Sequence, residues 1–186
     1  MTIQSYADLL ANHKILLYPT DTIWGLGCDA TSEAAVDRIF EIKERPTHKS
    51  LIILVKDIEM MQRYTDIDLD IIQDTIIQTL HPTTFVLSKI KGLAANAIAH
   101  QDGTIGFRIP SHEFCQSLLG LFNKPIISTS ANISGIPTPL EFNQIAETIK
   151  NRVDCIVDSV YDTSGYHQPS RVLRILPDGD FETIRA

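Results

Sequence analysis

The chain has 186 residues, 44% of them hydrophobic and 21% charged, and its formal net charge is −7. This composition is typical of a globular domain of ordinary size and excludes an intrinsically disordered chain. The negative charge argues against a protein that coats nucleic acid electrostatically, although it is compatible with a basic site enclosed in an acidic protein.

The cysteines and the apolar runs indicate where the protein resides. Cys28, Cys115 and Cys155 are widely spaced and form no CxxC pair, which favours buried thiols in a reducing cytoplasm over disulfides or a zinc site. No apolar run approaches the roughly 20 residues of a membrane span, and residues 1–10 lack the features of a secretion signal. We therefore expect a cytoplasmic protein without a membrane segment.

The first elements follow from apolar spacing. A short helix is predicted before a strand at 15–17, and a second helix is predicted over 33–43. Thr31 or Ser32 is a suitable N-cap for this second helix, and Pro46 is expected to stop it. The cations near its end then lie where a helix dipole favours positive charge.

Strands and helices continue to alternate along the rest of the chain. Further strands are predicted at 51–55, 84–88, 103–109, 125–128 and 154–157, and further helices at 57–80 (two short ones), 112–122 and 140–150. A terminal hairpin is predicted from 172–176 and 181–185. This alternation indicates an α/β fold, and the hairpin adds an antiparallel pair, so a mixed sheet in a single domain, 1–186, is expected.

Residues 128–135 read STSANISG and follow the apolar run 125–127. Hydroxyls and backbone N–H groups bind phosphate oxygens, and small side chains let the backbone approach a ligand closely. The plainer alternative is an ordinary exit from a strand into a turn, since Ser, Asn and Gly are turn residues. The pattern alone leaves both interpretations open.

Two other segments are unusual. Residues 18–29 read YPTDTIWGLGCD and contain the one tryptophan of the chain, and residues 42–51 read IKERPTHKSL, with three cations in seven positions. The sequence has no Walker loop, no GxGxxG after a strand and no evident nucleophile–base pair. Its hydroxyls, amides and guanidinium groups suit the binding and orientation of anions more than covalent catalysis.

The segments YPTDTIWGLGCDA, KERPTHKSL and STSANISG, in this order, resemble the YrdC-like threonylcarbamoyl-AMP synthases of tRNA modification. The resemblance runs from about Ile15 to about Arg174. It implies a twisted open mixed sheet with flanking helices around a deep central cavity, in the short single-domain form of the family.

The resemblance also implies a reaction, that of a nucleotidyltransferase. L-threonine and bicarbonate (or CO2) give N-carboxythreonine, whose carbamate oxygen attacks the α-phosphorus of ATP and releases pyrophosphate. Mg²⁺ would be held mainly by the ATP phosphates and not by a protein metal site. The threonylcarbamoyl group would then pass to a separate tRNA threonylcarbamoyl transferase complex, for adenosine 37 of tRNAs that read ANN codons, with at most weak tRNA binding by this chain.

The resemblance assigns roles residue by residue. It implies catalytic roles for Lys43 and Arg45, threonine or bicarbonate binding for Thr20, Thr22 and Arg108, and nucleotide binding for Lys49, Ser128, Ser130, Asn132 and Ser170. Plainer accounts exist for some of them: Thr20 as a turn former, Arg108 as a surface cation and Ser170 as a cap.

Two positions depart from the family pattern, and two other functions stay open. His81 replaces the glycine of a Pro-Gly-Pro-x-Thr turn, and Arg171 replaces a threonine after Ser170, so the roles of both positions are unassigned. One alternative function is an RNA-binding module that grips tRNA or double-stranded RNA. The other is a carbamoyl-AMP-forming relative, of the kind embedded in hydrogenase-maturation proteins.

Overall fold

A computed structural model describes residues 1–45, 51–78, 81–99, 101–163, 168–176 and 180–186, and the fold is stated for these residues. The α-helices are α1 (Ile3–Ala11), α2 (Glu33–Lys43), α3 (Ile58–Gln62), α4 (Asp70–Gln78), α5 (Glu113–Phe122) and α6 (Glu147–Lys150). The strands are β1 (Leu16–Tyr18), β2 (Gly25–Asp29), β3 (Ile52–Leu54), β4 (Thr83–Leu87), β5 (Ile105–Arg108), β6 (Ile126–Ser130), β7 (Cys155–Ile156), β8 (Arg171–Ile175) and β9 (Phe181–Arg185).

Within the described residues, the nine strands form one sheet in the order β7-β1-β2-β6-β3-β5-β4-β8-β9. The pairs β1–β7, β3–β5 and β4–β8 are parallel, and the other neighbours are antiparallel. The predicted mixed sheet is therefore confirmed. The predicted terminal hairpin is confirmed as well, because β8 and β9 pair in antiparallel fashion.

The sheet lies between two layers of helices. Helices α2, α3 and α4 pack on one face, in a core cluster that includes Ile39, Ile53 and Phe107. Helices α1 and α5 pack on part of the opposite face, in a second cluster that includes Leu10 and Leu118. Alternate residues of a strand point to opposite faces, so each strand serves both layers. The part of the second face that α1 and α5 leave uncovered holds the site described below.

Helix α2 has the predicted bounds, and its ends explain them. The Ser32 hydroxyl caps the first turn by accepting a hydrogen bond from the backbone N–H of Ala35 at 3.3 Å. At the other end, Glu44 adopts a left-handed conformation (φ 48°), and the N–H of Arg45 donates to the Phe40 carbonyl at 3.0 Å. This reversal ends the helix. The predicted stop at Pro46 lies outside the described residues.

One predicted helix is wrong in its extent, and one strand was not predicted. The helix predicted at 140–150 is α-helical only at Glu147–Lys150, with a 3-10 turn at Phe142–Gln144. The Gln144 side chain accepts a hydrogen bond from the N–H of Leu140, which replaces the first helical turn. The segment 18–29 was assigned no helix or strand from the sequence, and the structure shows β2 in its second half. The other predicted elements agree with the structure to within about two residues, within the usual uncertainty of element ends.

Candidate functional site

A pocket of about 310 Å³ opens on the sheet face that carries small side chains. Gly25 of β2, Gly106 of β5 and Ser128 of β6 line its floor. Gly106 and Ser128 both pair with Ile52 of β3, and Gly25 pairs with Ser130, two residues beyond Ser128 on β6. A Cβ atom at Gly106 would come within 2.7 Å of the Thr84 Cγ2 atom, so this position requires glycine. The volume falls within the range of small-molecule sites. Seven predicted site residues line the pocket: Thr20, Thr22, Arg45, Arg108, Ser128, Ser130 and Ser170.

Thr20 and Thr22 form a hydrogen-bonded chain with fixed direction. The Thr20 hydroxyl donates its hydrogen to the Ile23 carbonyl at 2.8 Å. In the 2.9 Å hydrogen bond between the two threonine hydroxyls, Thr22 is therefore the donor and Thr20 the acceptor. Arg108 Nη1 donates to the Thr22 oxygen at 3.1 Å. The Thr22 hydroxyl hydrogen is thus engaged, and a ligand meets this oxygen as an acceptor.

Arg108 is held by a carboxylate that the sequence analysis missed. Asp21 Oδ1 accepts a hydrogen bond from Arg108 Nη1 at 2.8 Å, and the two side chains are only 7% and 5% exposed, respectively. Asp21 stands between the two predicted threonines in the sequence, and this position could have identified it as a site residue. Arg108 is buried and lines the pocket, which excludes the plainer account of a surface cation.

Lys43 lies behind the pocket wall and does not line it. Its side chain is 2% exposed, and Nζ donates to the carbonyls of Ser130 and Asn132, the latter at 2.7 Å, and to Asn132 Oδ1 at 3.2 Å. The ammonium therefore holds the segment that follows β6. Burial, and secondarily the charge of Arg45, lower the pKa of Lys43 to about 7.

Asn132 completes this arrangement and likewise lies outside the described pocket lining. Its Oδ1 accepts a hydrogen bond from the Ser130 hydroxyl at 2.5 Å, and its amide nitrogen donates to the Ile136 carbonyl at 2.5 Å. Ser130 itself lines the pocket. Lys43 and Asn132 together therefore hold the end of β6 and the residues that follow it in place.

Arg45 lines the pocket directly, two residues beyond Lys43. The left-handed turn at Glu44 separates the two cations, so one is held inside the protein and the other faces the pocket. Burial lowers the pKa of the Arg45 guanidinium, although arginine stays protonated near neutral pH. The third predicted cation of this segment, Lys49, lies outside the described residues.

The late part of the chain contributes Ser170 and a residue not predicted, Arg185. Arg185 Nε and Nη2 donate to the Ser170 carbonyl at 2.9 and 2.7 Å, and the Ser170 hydroxyl contacts that of Thr84 at 2.8 Å. Burial, and then the charge of Arg108, lower the pKa of Arg185. Arg185 carries no local motif, and only the pairing of β9 with β8 brings it to the pocket.

Trp24 is a second wall residue that the site assignment missed. Its indole Nε1 donates to Asp162 Oδ2 at 2.8 Å, and its ring lies 4.7 Å from that of Phe142.

The two departures from the family pattern lie elsewhere. His81 lines a second cavity of about 220 Å³, and Arg171 belongs to β8 without lining either cavity.

Three guanidinium groups from α2's end, β5 and β9 thus meet several hydroxyls in one pocket. Such a surface binds anions and offsets developing negative charge.

In the described part of the chain, no three His, Cys, Asp or Glu side chains are grouped to hold a metal ion, and no helix is long and apolar enough to cross a membrane. Cys28 and Cys115 are buried free thiols, as predicted, and Cys155 is a half-buried free thiol.

Comparisons with known proteins identify the relatives of this chain. The Sua5/YciO/YrdC family model, described as telomere recombination, matches residues 8–186. Threonylcarbamoyl-AMP synthase of Psychromonas ingrahamii is 31% identical over 169 residues, which cover 88% of this chain and 87% of that protein. The enzyme of the same name from an Enterobacter species is 32% identical over 174 residues, which cover 92% of this chain and 90% of that protein.

A solved structure shows the same fold. P. abyssi Sua5 complexed with L-threonine matches with a TM-score of 0.81 and 31% identity, covering 92% of this chain and 50% of that chain. The present chain therefore spans about half the length of that Sua5 protein, but most of the length of the two synthases. Fold, sequence and family model agree, and the chain belongs to the Sua5/YciO/YrdC family.

Proposed function

We propose that this chain is an L-threonylcarbamoyladenylate synthase, a nucleotidyltransferase that forms threonylcarbamoyl-AMP and pyrophosphate from L-threonine, bicarbonate (or CO2) and ATP. The observation that carries the proposal is the convergence of Arg45, Arg108 and Arg185 with threonine and serine hydroxyls in one pocket. The names of the two synthases and the L-threonine bound to P. abyssi Sua5 support it. They favour it over an RNA-binding module and over a carbamoyl-AMP-forming enzyme.

The chemistry of the pocket suits this reaction. N-carboxythreonine is already an anionic nucleophile, so the step at phosphorus needs no strong general base. It needs two anions brought together in line and their repulsion offset, which guanidinium groups in a pocket provide. The arginines of the wall perform this task in the proposed mechanism.

Thr20, Thr22 and Arg108 are the proposed threonine end of the site. The Thr22 oxygen acts as an acceptor, which fits a donor group of the substrate such as its ammonium or hydroxyl. Arg108 provides a cation beside it for the carboxylate or the carbamate. The plainer account of Thr20 as a turn former is compatible with this role, since its hydroxyl also closes the turn on Ile23.

Arg45, Ser128, Ser130, Ser170 and Arg185 are the proposed nucleotide end, and Lys49 stays a sequence prediction for the same role. Lys43 and Asn132 are proposed to act without contacting the nucleotide, by holding Ser130 and the segment after it in place. This assigns Lys43 to organisation of the site, in addition to the charge that its ammonium contributes.

Mg²⁺ is proposed to enter with ATP, held mainly by the phosphate oxygens, where it offsets their charge. The residues fit a metal carried in this way, because the Asp21 carboxylate beside the pocket is engaged by Arg108 and Ser111. We also propose that one domain carries the activity, in the cytoplasm, and that the product passes to a separate tRNA threonylcarbamoyl transferase.

The product distinguishes this function from its alternatives. The purified chain is incubated with Mg-ATP, L-threonine and ¹³C-bicarbonate, and the products are analysed by mass spectrometry. We expect an adenylate that contains threonine and one ¹³C atom, and at least about tenfold less of it from Arg45→Ala. An adenylate formed from carbamoyl phosphate without threonine would overturn the proposal.

A further inference from the structure

Asp21 is a buried carboxylate in the partition between two cavities. It lies in the loop that joins β1 to β2, where Thr20 and Thr22 line the 310 Å³ pocket while Asp21 lines the cavity of about 220 Å³ behind it. Arg108 reaches Asp21 from the pocket side. The ion pair therefore joins the linings of the two cavities, with the cation on the side of the proposed substrate pocket.

The contact fixes one end of the Arg108 guanidinium. Nη1 carries two hydrogens, and these point to Asp21 Oδ1 at 2.8 Å and to the Thr22 hydroxyl at 3.1 Å. Because the guanidinium is planar, two fixed directions on one nitrogen set the orientation of the whole group. The same contact sets the acceptor role of Thr22.

Asp21 is itself anchored from its other oxygen. Oδ2 accepts a hydrogen bond from the backbone N–H of Ser111 at 3.2 Å, and the Ser111 hydroxyl lies 3.5 Å away. Ser111 follows Arg108 by three residues, so the carboxylate is tied to the same segment that carries the arginine. Oδ2 is thus anchored independently of the guanidinium, and this anchor gives the carboxylate a defined orientation toward Arg108.

We propose that Asp21 is a positioning residue that acts through Arg108: it fixes the guanidinium in the orientation that binds the threonine-derived anion. This inference rests on the proposed function. An ion pair that served only stability would be equally buried, but its loss would not affect one substrate more than the other. The two accounts therefore differ in their effect on substrate binding.

The test is a double-mutant cycle with Asp21→Asn, Arg108→Gln and the double variant. Asp21→Asn keeps the size and one oxygen of the side chain but removes its charge. We expect it to raise KM for L-threonine at least about tenfold and KM for ATP less than about threefold. In the Arg108→Gln background, the same change should cost less than about twofold, because the residue through which Asp21 acts is gone.

Asp29→Asn is the matched control. The Asp29 side chain is 1% exposed and pairs with Lys124 at 2.9 Å, four residues beyond Gly25 on β2 and outside the lining of the pocket. The Asp29→Asn substitution removes a buried charge and leaves the contacts of Arg108 unchanged. We expect the KM values for L-threonine and for ATP to stay at the wild-type level. Equal effects of the two Asp→Asn variants, or additive effects in the cycle, would contradict the positioning role.

A crystal structure of Asp21→Asn separates this inference from the proposed function. We expect Arg108 to leave its wild-type orientation or to occupy several conformers, and an unchanged Arg108 would overturn the inference even if the enzyme uses threonine. If the wild-type chain forms no threonylcarbamoyl-AMP, the proposed function fails while the orientation of Arg108 is still measured. Should Asp21→Asn fail to fold, Asp21→Glu keeps the charge but displaces it, and a wild-type KM for threonine there would also contradict the role.

Discussion

The cations of the site act at different depths. Arg45 and Arg108 present guanidinium groups to the pocket, whereas the Lys43 ammonium is enclosed and satisfied by oxygens of the chain. A buried ammonium is costly unless its hydrogens are bonded, and Lys43 meets this condition through the segment that it organises. The same segment presents Ser130 to the pocket, so the Lys43 ammonium acts by positioning Ser130.

The lowered pKa of Lys43 predicts a pH dependence of stability. The folded chain releases this proton near pH 7, while the unfolded chain holds it to about 10.4. Between these values the unfolded state binds more protons, so this group makes the free energy of unfolding rise with pH, by at most about 1.4 kcal/mol per unit. Lys43→Arg stays protonated in both states and should lack this rise. Urea unfolding of both proteins from pH 7 to 9 measures the difference, and parallel pH curves would contradict the assignment.

Arg45→Ala and Asn132→Ala should each lower turnover at least about tenfold while the fold stays intact. The first removes a pocket cation, and the second removes the acceptor that joins Lys43 to Ser130. Arg38→Ala is a control on the same helix as Lys43, because Arg38 pairs with Asp154 at the surface and lies outside the pocket lining. Steady-state rates and circular dichroism of the three variants provide the check. Near-normal turnover in both site variants would show that the site is assigned wrongly.

At the scale of elements, the terminal hairpin does more than extend the sheet. β8 pairs with β4 in parallel fashion, and β9 pairs with β8, so Arg185 is carried back toward Ser170 and Thr84. The terminal hairpin and the distant strand β4 thereby form one wall of the pocket. The edge strand is thus part of the proposed site.

Arg185→Ala should lower kcat/KM for ATP at least about tenfold, because the Ser170 carbonyl loses two charge-assisted hydrogen bonds and the pocket loses a cation. Arg174→Ala, on the neighbouring strand, removes only exposed ion pairs with Asp102 and Glu182. Its kinetics should match those of the wild-type protein. Steady-state kinetics with varied ATP test both variants, and equal values for them would argue against a role of β9 in the site.

Gly106→Ala on β5 should lower the free energy of unfolding by roughly 1–3 kcal/mol and reduce activity, since the new Cβ would lie 2.7 Å from Thr84 Cγ2 on the pocket floor. Gly120 in α5 offers the opposite case, because a Cβ there meets only Lys56 Cε at 3.9 Å. Gly120→Ala should raise stability by up to about 1 kcal/mol through helix propensity. Urea denaturation measures the free energy of unfolding of both variants. A Gly106→Ala protein as stable as the wild type would contradict the predicted steric clash with Thr84.

At the scale of the molecule, the sequence predicts elements better than it predicts their partners. Local signals such as the Ser32 cap located α2, and apolar runs located most strands. The order of the strands depends on contacts between distant segments, such as β6 between β2 and β3, for which no local signal exists. Asp21 and Trp24 were missed because their partners, Arg108 and Asp162, lie far along the chain. Arg185 was missed because only the pairing of β9 with β8 brings it to Ser170. The sequence motifs singled out Lys43 and Asn132, but only the structure shows that they contact each other.

The most direct test of the proposed synthase is pyrophosphate release by the purified chain with Mg-ATP, with L-threonine and bicarbonate each omitted in turn. The convergence of three arginines and the threonine hydroxyls in one pocket predicts release that requires both, because the nucleophile is made from both. Release that is indifferent to L-threonine, or no release from the folded protein, would contradict the assignment of this pocket to threonylcarbamoyl-AMP synthesis.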